Sequence, residues 1–336
     1  MYSSAVVILN YNGEAHLRQF LPSVVENTPE RVDIIVADNG STDLSLNVIR
    51  DNFPRVETIS MDRNYGFAEG YNRALSELKH DYFILLNSDV KVTSGWCEPL
   101  LEELHHNPKV GAVAPKLRSL CEPTKFEYAG AAGGYIDALG YPFCRGRIMQ
   151  HTEEDKGQYD DKRDLFWVSG AAFGCRAELF HTLGGFDTDM FAHMEEIDLC
   201  WRMQLRGFSV RYIPTSTVYH LGGGTLQKSS PQKIYLNHRN NLVMLFKCAP
   251  TAMRITVALV RPPLDMAAAL SYLLKGDFKG AYAVLRAYAI FIKWHPRLLA
   301  KRREVRDHHT AESQYIYRGS IIMRYLFRSR NFDNLM

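Results

Sequence analysis

The sequence predicts an α/β fold with a mostly parallel central sheet, helices on both faces and a helical C-terminal region. Three observations carry this. First, Ala5–Leu9, Val32–Ala37 and Phe83–Leu86 are apolar runs without polar alternation, as in strands buried on both faces. Second, each run ends in polar turn residues: Asn10-Tyr11-Asn12-Gly13, Asp38-Asn39-Gly40-Ser41-Thr42-Asp43 and Asn87-Ser88-Asp89. Third, stretches with helical spacing separate the runs, and strands alternating with helices build parallel sheets.

Taken in order, Ala5–Leu9 is the first strand. Residues 14–26 space Leu17, Phe20, Leu21, Val24 and Val25 as an amphipathic helix, with Pro22 as a kink or break. Val32–Ala37 is the second strand, and Ser41 or Thr42 is available to cap the next helix. Val56–Ser60 is a third strand, followed by Asn64-Tyr65-Gly66-Phe67-Ala68 and a helix through Leu78. Phe83–Asp89 is the strand around which the chain is organised. Ligands of open α/β sheets bind beyond the carboxyl ends of the strands, so Asp89 stands where a carboxylate can hold a divalent cation; the same N-S-D also simply favours a turn. After Val110–Leu117 regularity fails: residues 121–165 are rich in Gly, Tyr and charge, as in a functional or mobile segment. Order returns at Leu165–Phe173, then a helix to Leu183.

A second acidic cluster follows in Phe191–Arg202, F-A-H-M-E-E-I-D-L-C-W-R. On a helix Glu195, Asp198 and Arg202 share one face while Glu196 points elsewhere. This is either a chemical site or a solvated helix start whose acids favour the dipole. Val210–Pro214 and Val218–Gly224 read as further strand segments, with His220 before three glycines.

Composition sets bounds. The 336 residues are 46% hydrophobic and 23% charged, an ordinary globular balance, and a net charge of +3 gives no argument for nucleic acid. Six cysteines without a C-x-x-C pair predict neither a zinc site nor a disulfide framework. The N-terminus has no basic n-region and enters a strand pattern at once, so a cytoplasmic setting is expected. Neither G-x-G-x-x-G after the first strand nor G-x-x-x-x-G-K-[ST] occurs; a metal ion is then the natural partner for phosphates.

From about Pro250 apolar helical segments, Ile255–Val260, Met266–Leu274 and Ala281–Trp294, are interrupted by Arg261, Pro262, Pro263, Asp265, Gly276 and Asp277. None reaches the roughly 20 apolar residues of a spanning helix. Lys293–Arg306 carries Lys293, Arg297, Lys301, Arg302, Arg303 and Arg306 against Glu304, with Arg318, Arg324, Arg328 and Arg330 beyond. Apolar helices beside a basic run suit an anionic membrane surface; the alternative is an ordinary helical subdomain or a dimer interface.

Together the motifs V-V-I-L-N-Y-N-G, I-I-V-A-D-N-G-S-T-D, N-Y-G-F-A-E-G-Y-N, L-L-N-S-D, W-V-S-G-A, M-E-E-I-D-L-C-W-R and V-Y-H-L-G-G-G-T resemble, in order, an inverting family 2 glycosyltransferase of the A-type fold, in its rhamnosyltransferase-like branch. The resemblance runs from Ala5 to about Leu245. It implies a catalytic domain over 1–249, with a nucleotide-sugar half to about 117 and an acceptor half from 118, and a separate helical region over 250–336. Asp38 would bond the nucleobase, with Asn10, Asn64, Gly66, Phe67 and Asn87 lining the nucleotide pocket. Asp89 and His220 would hold Mg²⁺ or Mn²⁺ on the diphosphate. Glu196 takes the place of the catalytic base, with Glu195 and Asp198 as rivals, and Trp167 and Gly170 border the acceptor.

Two departures stand out. N-S-D replaces D-x-D, leaving one carboxylate, and Glu-Glu replaces the usual Glu-Asp. The implied partners are a nucleoside-diphosphate sugar, dTDP-rhamnose or a UDP-sugar, and a saccharide or lipid-linked saccharide acceptor at the inner face of the plasma membrane. A sugar nucleotidyltransferase or an inactive membrane scaffold are the alternatives.

Overall fold

The computed structural model describes residues 2–222, 230–327 and 331–332. Strands β1 (Ser4–Asn10), β2 (Asp33–Asp38), β3 (Val56–Ser60) and β4 (Tyr82–Asn87) lie parallel in the order β3-β2-β1-β4. Helices α1 (Glu14–Asn27), α2 (Ser45–Asn52) and α3 (Gly66–Ser76) connect them. Successive strand residues feed two different cores. Ala5, Val7, Ile35, Phe83 and Leu85 belong to one; Val6, Ile8, Ile34, Ile84 and Leu86 belong to the other with Leu17, Leu21 and Val48 of α1 and α2. Both faces are dry, which is why these strands show no polar alternation. Helix α1 runs unbroken through Pro22. Neither Ser41 nor Thr42 caps α2: the Asp43 carboxylate instead accepts from the Ser45 and Glu14 backbone N–H groups.

Beyond β4 come the short β5 (Val90–Val92), α4 (Glu98–His106) and the long β6 (Val110–Ser119). The glycine-rich stretch is more regular than its sequence predicts. Strands β7 (Gly134–Asp137), β8 (Pro142–Cys144), β9 (Arg147–Ile148) and β10 (His151–Thr152) form most of a second, five-stranded sheet. Its strands are too short, two to four residues, to show a period. The chain then adds β11 (Arg163–Leu165), β12 (Ala172–Arg176), α5 (Ala177–Thr182), α6 (Glu195–Leu205) and β13 (Ser209–His220). Strand β12 pairs antiparallel with both β4 and β6, so the main nine-stranded sheet is parallel at one side and mixed at the other. The two expected segments around Pro214 are a single strand, β13, with a register shift between Ile213 and Thr217.

The C-terminal part holds α7 (Pro231–Cys248), α8 (Thr251–Leu274), α9 (Phe278–Lys293), α10 (His295–Asp307), β14 (Ile316–Tyr317) and α11 (Ile321–Leu326). Two expectations change here. Ile255–Val260 and Met266–Leu274 belong to one 24-residue helix containing Pro262 and Pro263. Among the described residues it is one helix long and apolar enough to cross a membrane, by length and composition. Half of the basic run is also engaged within the molecule. Arg297 pairs with Asp189, Lys301 with Asp187 and Asp189, and Arg302 Nη1 donates to the carbonyls of Phe246 (2.9 Å), Lys247 (3.1 Å) and Ala249 (3.0 Å). Arg328 and Arg330 lie outside the described residues, as do Gly223 and Gly224.

Described residues beyond 250 pack into the sheets and core of the preceding part. Strand β14 pairs with β7, the Ile321 N–H donates to Asp137 (2.9 Å), and Leu298, Ile321 and Phe332 are buried in the main core. Burying each such side chain is worth about 1.5–3 kcal/mol, and together they approach the roughly 5–15 kcal/mol that holds a domain folded. A chain ending at Ala249 is expected to lose its cooperative melting transition, monitored by far-UV circular dichroism beside the full chain. A sharp melt near the parent temperature would show the C-terminal helices to be an appendage.

Candidate active site

The carboxyl ends of β1 and β2 converge on a polar knot. Asn10 Nδ2 donates to Asp38 Oδ1 (3.0 Å) and Ser41 Oγ (3.2 Å), while Asp38 Oδ2 accepts from the Ser41 N–H (2.9 Å). Asn39, which sequence reasoning passed over, joins this knot to the next loop: its Nδ2 donates to Asn64 Oδ1 (3.1 Å) and the Gly66 carbonyl (2.9 Å), and its Oδ1 accepts from Tyr65 N–H (2.9 Å). Gly66 has φ +80°, and a Cβ there would run into the Phe191 ring at 2.5 Å, so glycine is required on both counts. The sequence thus brings Asn10, Asp38, Asn64 and Gly66 together. Asn87 closes the end of β4, its N–H donating to the Ala171 carbonyl (2.9 Å).

Two residues beyond β4, Asp89 meets His220 at the end of β13. His220 Nε2 lies 3.1 Å from Asp89 Oδ1, and Glu127 Oε1 lies 3.4 Å from Nδ1 on the other side of the ring. Burial would raise the Asp89 carboxyl, but the bond to His220 and its charge hold it below the usual carboxylate range. Burial would likewise lower His220, yet the two flanking carboxylates push it up to about 10. Two acids around one imidazole leave this pocket net negative even when the ring is protonated. Among the described residues, no group of three or more His, Cys, Asp or Glu is arranged to hold a metal ion. With the ring in its neutral form, Asp89 and His220 have the spacing of neighbouring ligands, because adjacent ligands of an octahedral magnesium-like ion are about 3 Å apart. The remaining positions would take oxygens from water or a bound diphosphate. Glu127 was not foreseen; nothing sets it apart from Glu122, Glu153 and Glu154 until β13 brings His220 beside it.

The third group sits at the start of α6. Glu196 Oε2 is buried without a partner, and a Cβ on Gly170 would lie 3.8 Å from its Oε1 and 3.3 Å from Phe67 Cζ. Phe67, expected at the nucleotide, thus also faces Gly170 beside this carboxylate. Burial raises Glu196 to about 7, against backbone N–H donors at Glu196, Gly170 and Ile197 that pull the other way. Glu195 is buried more deeply, and burial, with the Glu196 charge next to it, pushes its carboxyl well up. Asp198, the other rival, is fully buried and spoken for: its Oδ2 accepts from Arg202 Nε (2.8 Å) and its Oδ1 pairs with Lys247 Nζ (2.7 Å). It locks α6 to α7 and has no oxygen free for a ligand. Trp167 is likewise a core residue: it is 3% exposed, its ring covers Gly134 and its indole N–H donates to the Tyr135 carbonyl (2.9 Å). Of that segment, Gly170 lies beside Phe67 and Glu196.

What aims Glu196 is the loop before it. Phe191, His193 and Met194 have φ of 62°, 71° and 73°, values L-residues rarely adopt. The Phe191 carbonyl accepts from the N–H groups of Phe67 (2.8 Å) and Ala68 (3.1 Å) at the start of α3. From α7, Arg239 Nη2 donates to the carbonyls of Asp189 (2.8 Å) and Met190 (3.0 Å). Asn240 Nδ2 lies 2.9, 2.9 and 2.7 Å from the carbonyls of Met190, Ala192 and His193, two hydrogens shared among three acceptors. The Arg-Asn pair had no assigned role in the sequence; only its distance from α6 in the chain concealed it.

Residues 5–184 match the model of glycosyl transferase family 2. Over 258 residues, covering 71% of this chain and 83% of the relative, the sequence is 27% identical to the N-acetylglucosaminyl-diphospho-decaprenol L-rhamnosyltransferase of Mycobacterium tuberculosis. Among solved structures, residues 1–349 of S. aureus TarS in complex with UDP-GlcNAc superpose with a TM-score of 0.57 at 13% identity, covering 97% of this chain and 92% of that one. The mannosyltransferase PcManGT from Pyrobaculum calidifontis, in complex with GDP-Man and Mn²⁺, gives 0.54 at 15% identity, covering 91% and 86%. These likenesses show the fold.

Replacing Asn240 by Ala leaves buried carbonyls unpaired, each worth about 1–3 kcal/mol. Asn240→Ala is expected to lower the melting temperature by several degrees and to slow turnover more than it weakens donor binding. The checks are thermal melts and steady-state kinetics beside the surface control Leu44→Ala; unchanged kcat would separate the loop from catalysis.

Proposed function

Because the chain belongs to glycosyl transferase family 2, we propose that it moves a sugar from a nucleoside-diphosphate sugar to a hydroxyl of a saccharide or lipid-linked saccharide, with inversion, in the synthesis of cell-surface polysaccharide. A dTDP-rhamnose or UDP-sugar donor is favoured by the similarity to a rhamnosyltransferase and the likeness to a UDP-GlcNAc complex. The observation that carries the reading is Glu196: a carboxylate with an unpartnered oxygen beside Gly170 and a proton affinity near neutrality.

In this mechanism Asp38 and Asn10 hold the nucleobase end of the donor, with Asn64, Gly66 and Asn87 along the pocket. Asp89 and His220 would hold Mg²⁺ or Mn²⁺, and the bound cation would supply positive charge to offset the negative charge gathering on the leaving diphosphate. Glu196 takes the proton of the acceptor hydroxyl as that oxygen bonds to the anomeric carbon. The bond from that carbon to the diphosphate oxygen breaks on the opposite face, and its electron pair leaves with the nucleoside diphosphate. One displacement needs one base, and no group on the enzyme becomes covalently bound to the sugar. Burial and the neighbouring Glu196 charge push the Glu195 carboxyl well up beside it. A peripheral position at the cytoplasmic leaflet would give access to a lipid-linked acceptor like the one in the mycobacterial relative's name.

Glu196→Gln is expected to bind donor normally and to transfer about 10²–10⁴ more slowly, measured as kcat and as donor Kd; near-normal kcat would shift the role to Glu195. The base must be ionised to act, so the parent's kcat/KM should fall about tenfold per pH unit below an apparent pKa near 7 and level off above it. A profile flat from about pH 5 to 8, a window that brackets an apparent pKa near 7, would exclude Glu196 as the base. Asp89→Asn should fold but lose the Mn²⁺-dependent thermal stabilisation that a nucleoside diphosphate confers on the parent; equal stabilisation of both proteins would refute the metal assignment.

A further inference from the structure

Helix α8 has its polarity reversed. Its buried positions are Val257, Arg261, Asp265 and Ala269, one side of the helix at a spacing of four. Arg261 is 2% exposed, donates to the Leu139 carbonyl (2.9 Å) and Asn241 Oδ1 (2.8 Å), and lies over the Tyr141 ring; Asp265 accepts from Tyr288 Oη (2.7 Å). The outward side is the apolar one, with Leu259 72% and Leu274 82% exposed, and α9 continues it with Phe278, Tyr282 and Leu285. A helix of a water-soluble surface turns its apolar stripe to the core. This hairpin turns a charged pair inward and leucines outward, so its outer face is built for an apolar medium.

The charges on the hairpin name the medium. Its acids are Asp265, buried, and Asp277, which caps α9 by accepting from the Gly280 N–H (2.8 Å). Its exposed charges, Lys275, Lys279, Arg286 and Lys293, are all cations. Lys279 and Arg286 also line a cleft of about 320 Å³ with Phe278 and Tyr282, between α9 and the start of α7. A second copy of the chain would bring like charges together across such a face; an anionic surface would neutralise them. Because Arg261 and Asp265 tie α8 to the catalytic unit along its middle, the helix lies beside the protein body, with one side free.

We infer that the outer face of the α8–α9 hairpin docks into an anionic lipid bilayer, with Leu259, Leu274, Phe278 and Tyr282 at the acyl boundary and Lys275 and Lys279 among the headgroups. This rests on the membrane-peripheral part of the proposed function and moves the contact from the basic helix α10, where Arg297, Lys301 and Arg302 are engaged internally, to the apolar hairpin.

The test is flotation of the full chain with phosphatidylcholine vesicles, with and without phosphatidylglycerol. The parent should float with the anionic vesicles. Leu259→Ser, Leu274→Ser and Phe278→Ser combined should cut the floated fraction at least about tenfold. Lys275→Glu with Lys279→Glu should abolish the preference for phosphatidylglycerol, and Arg303→Ala with Arg306→Ala on α10 should float like the parent. All variants should keep the stabilisation given by nucleoside diphosphate and Mn²⁺, so a parent that fails to float with anionic vesicles while that response is intact overturns the docking face and leaves the transferase reading standing. Parent-like flotation of the leucine variant overturns it as well. So does a parent dimer in sedimentation velocity that the same variant dissolves while neither protein floats.

Discussion

The backbone at Phe191, His193 and Met194 is held in a conformation that L-residues disfavour, and the candidate site is built on it. Positive φ at Phe191, His193 and Met194 costs on the order of 1–3 kcal/mol per residue. That strain persists because three parts of the chain grip the loop at once. The start of α3 donates to the Phe191 carbonyl, Arg239 and Asn240 of α7 take the carbonyls on either side, and Lys301 and Arg297 of α10 pair with Asp187 and Asp189. The same loop therefore joins the helix that follows the nucleotide turn, the helix that begins with Glu195-Glu196, and the C-terminal helices. The ion cluster behind it, Asp187, Asp198, Lys247 and Arg202, is buried and mutually paired. Removing one member of such a cluster leaves an uncompensated charge, which costs far more than the intact cluster contributes.

Environment gives the carboxylates of the site different chemistry. Asp89 is buried but faces an imidazole, so its carboxyl is held below the usual range; burial of Glu196 outweighs the backbone donors that pull the other way, and its affinity for a proton rises to neutrality. One is suited to a cation, the other to receiving a proton, and their separation follows from what each touches. The departure from D-x-D to N-S-D fits this division. Where the motif has a single carboxylate, β13 brings the His220 imidazole beside it, with Glu127 on the other side of the ring.

The C-terminal helices combine two tasks that usually exclude each other. One side of α9 and α10 completes the core through Val284, Ala287 and Leu298. The far side of α8 and α9 leaves apolar side chains uncovered, and the charged groups that would ordinarily face water are turned inward onto tyrosines and carbonyls. A helix with this arrangement reads in sequence as interrupted, since Arg261, Pro262, Pro263 and Asp265 break its apolar run. The interruption is its inner face.

By itself the sequence determined the fold class, the parallel strands and the polar strand ends, because these rest on local patterns: unalternating apolar runs, turn residues and the order of short motifs. It also singled out Asp38, Asp89, Glu196 and His220, each of which stands beside a strand or helix end. What only the tertiary structure decided were relations between residues far apart in the chain. It paired Asp198 with Arg202 and Lys247, buried Glu195 more deeply than Glu196, withdrew Trp167 into the core, added Asn39 and Glu127, and showed what Arg239 and Asn240 hold. It engaged half of the basic run in ion pairs and carbonyl contacts and returned residues 316–332 to the second sheet and core. The reason is physical: a side chain's type and spacing set what it can do, whereas its partners, its access to solvent and its proton affinity are set by whatever the fold places within a few ångströms of it.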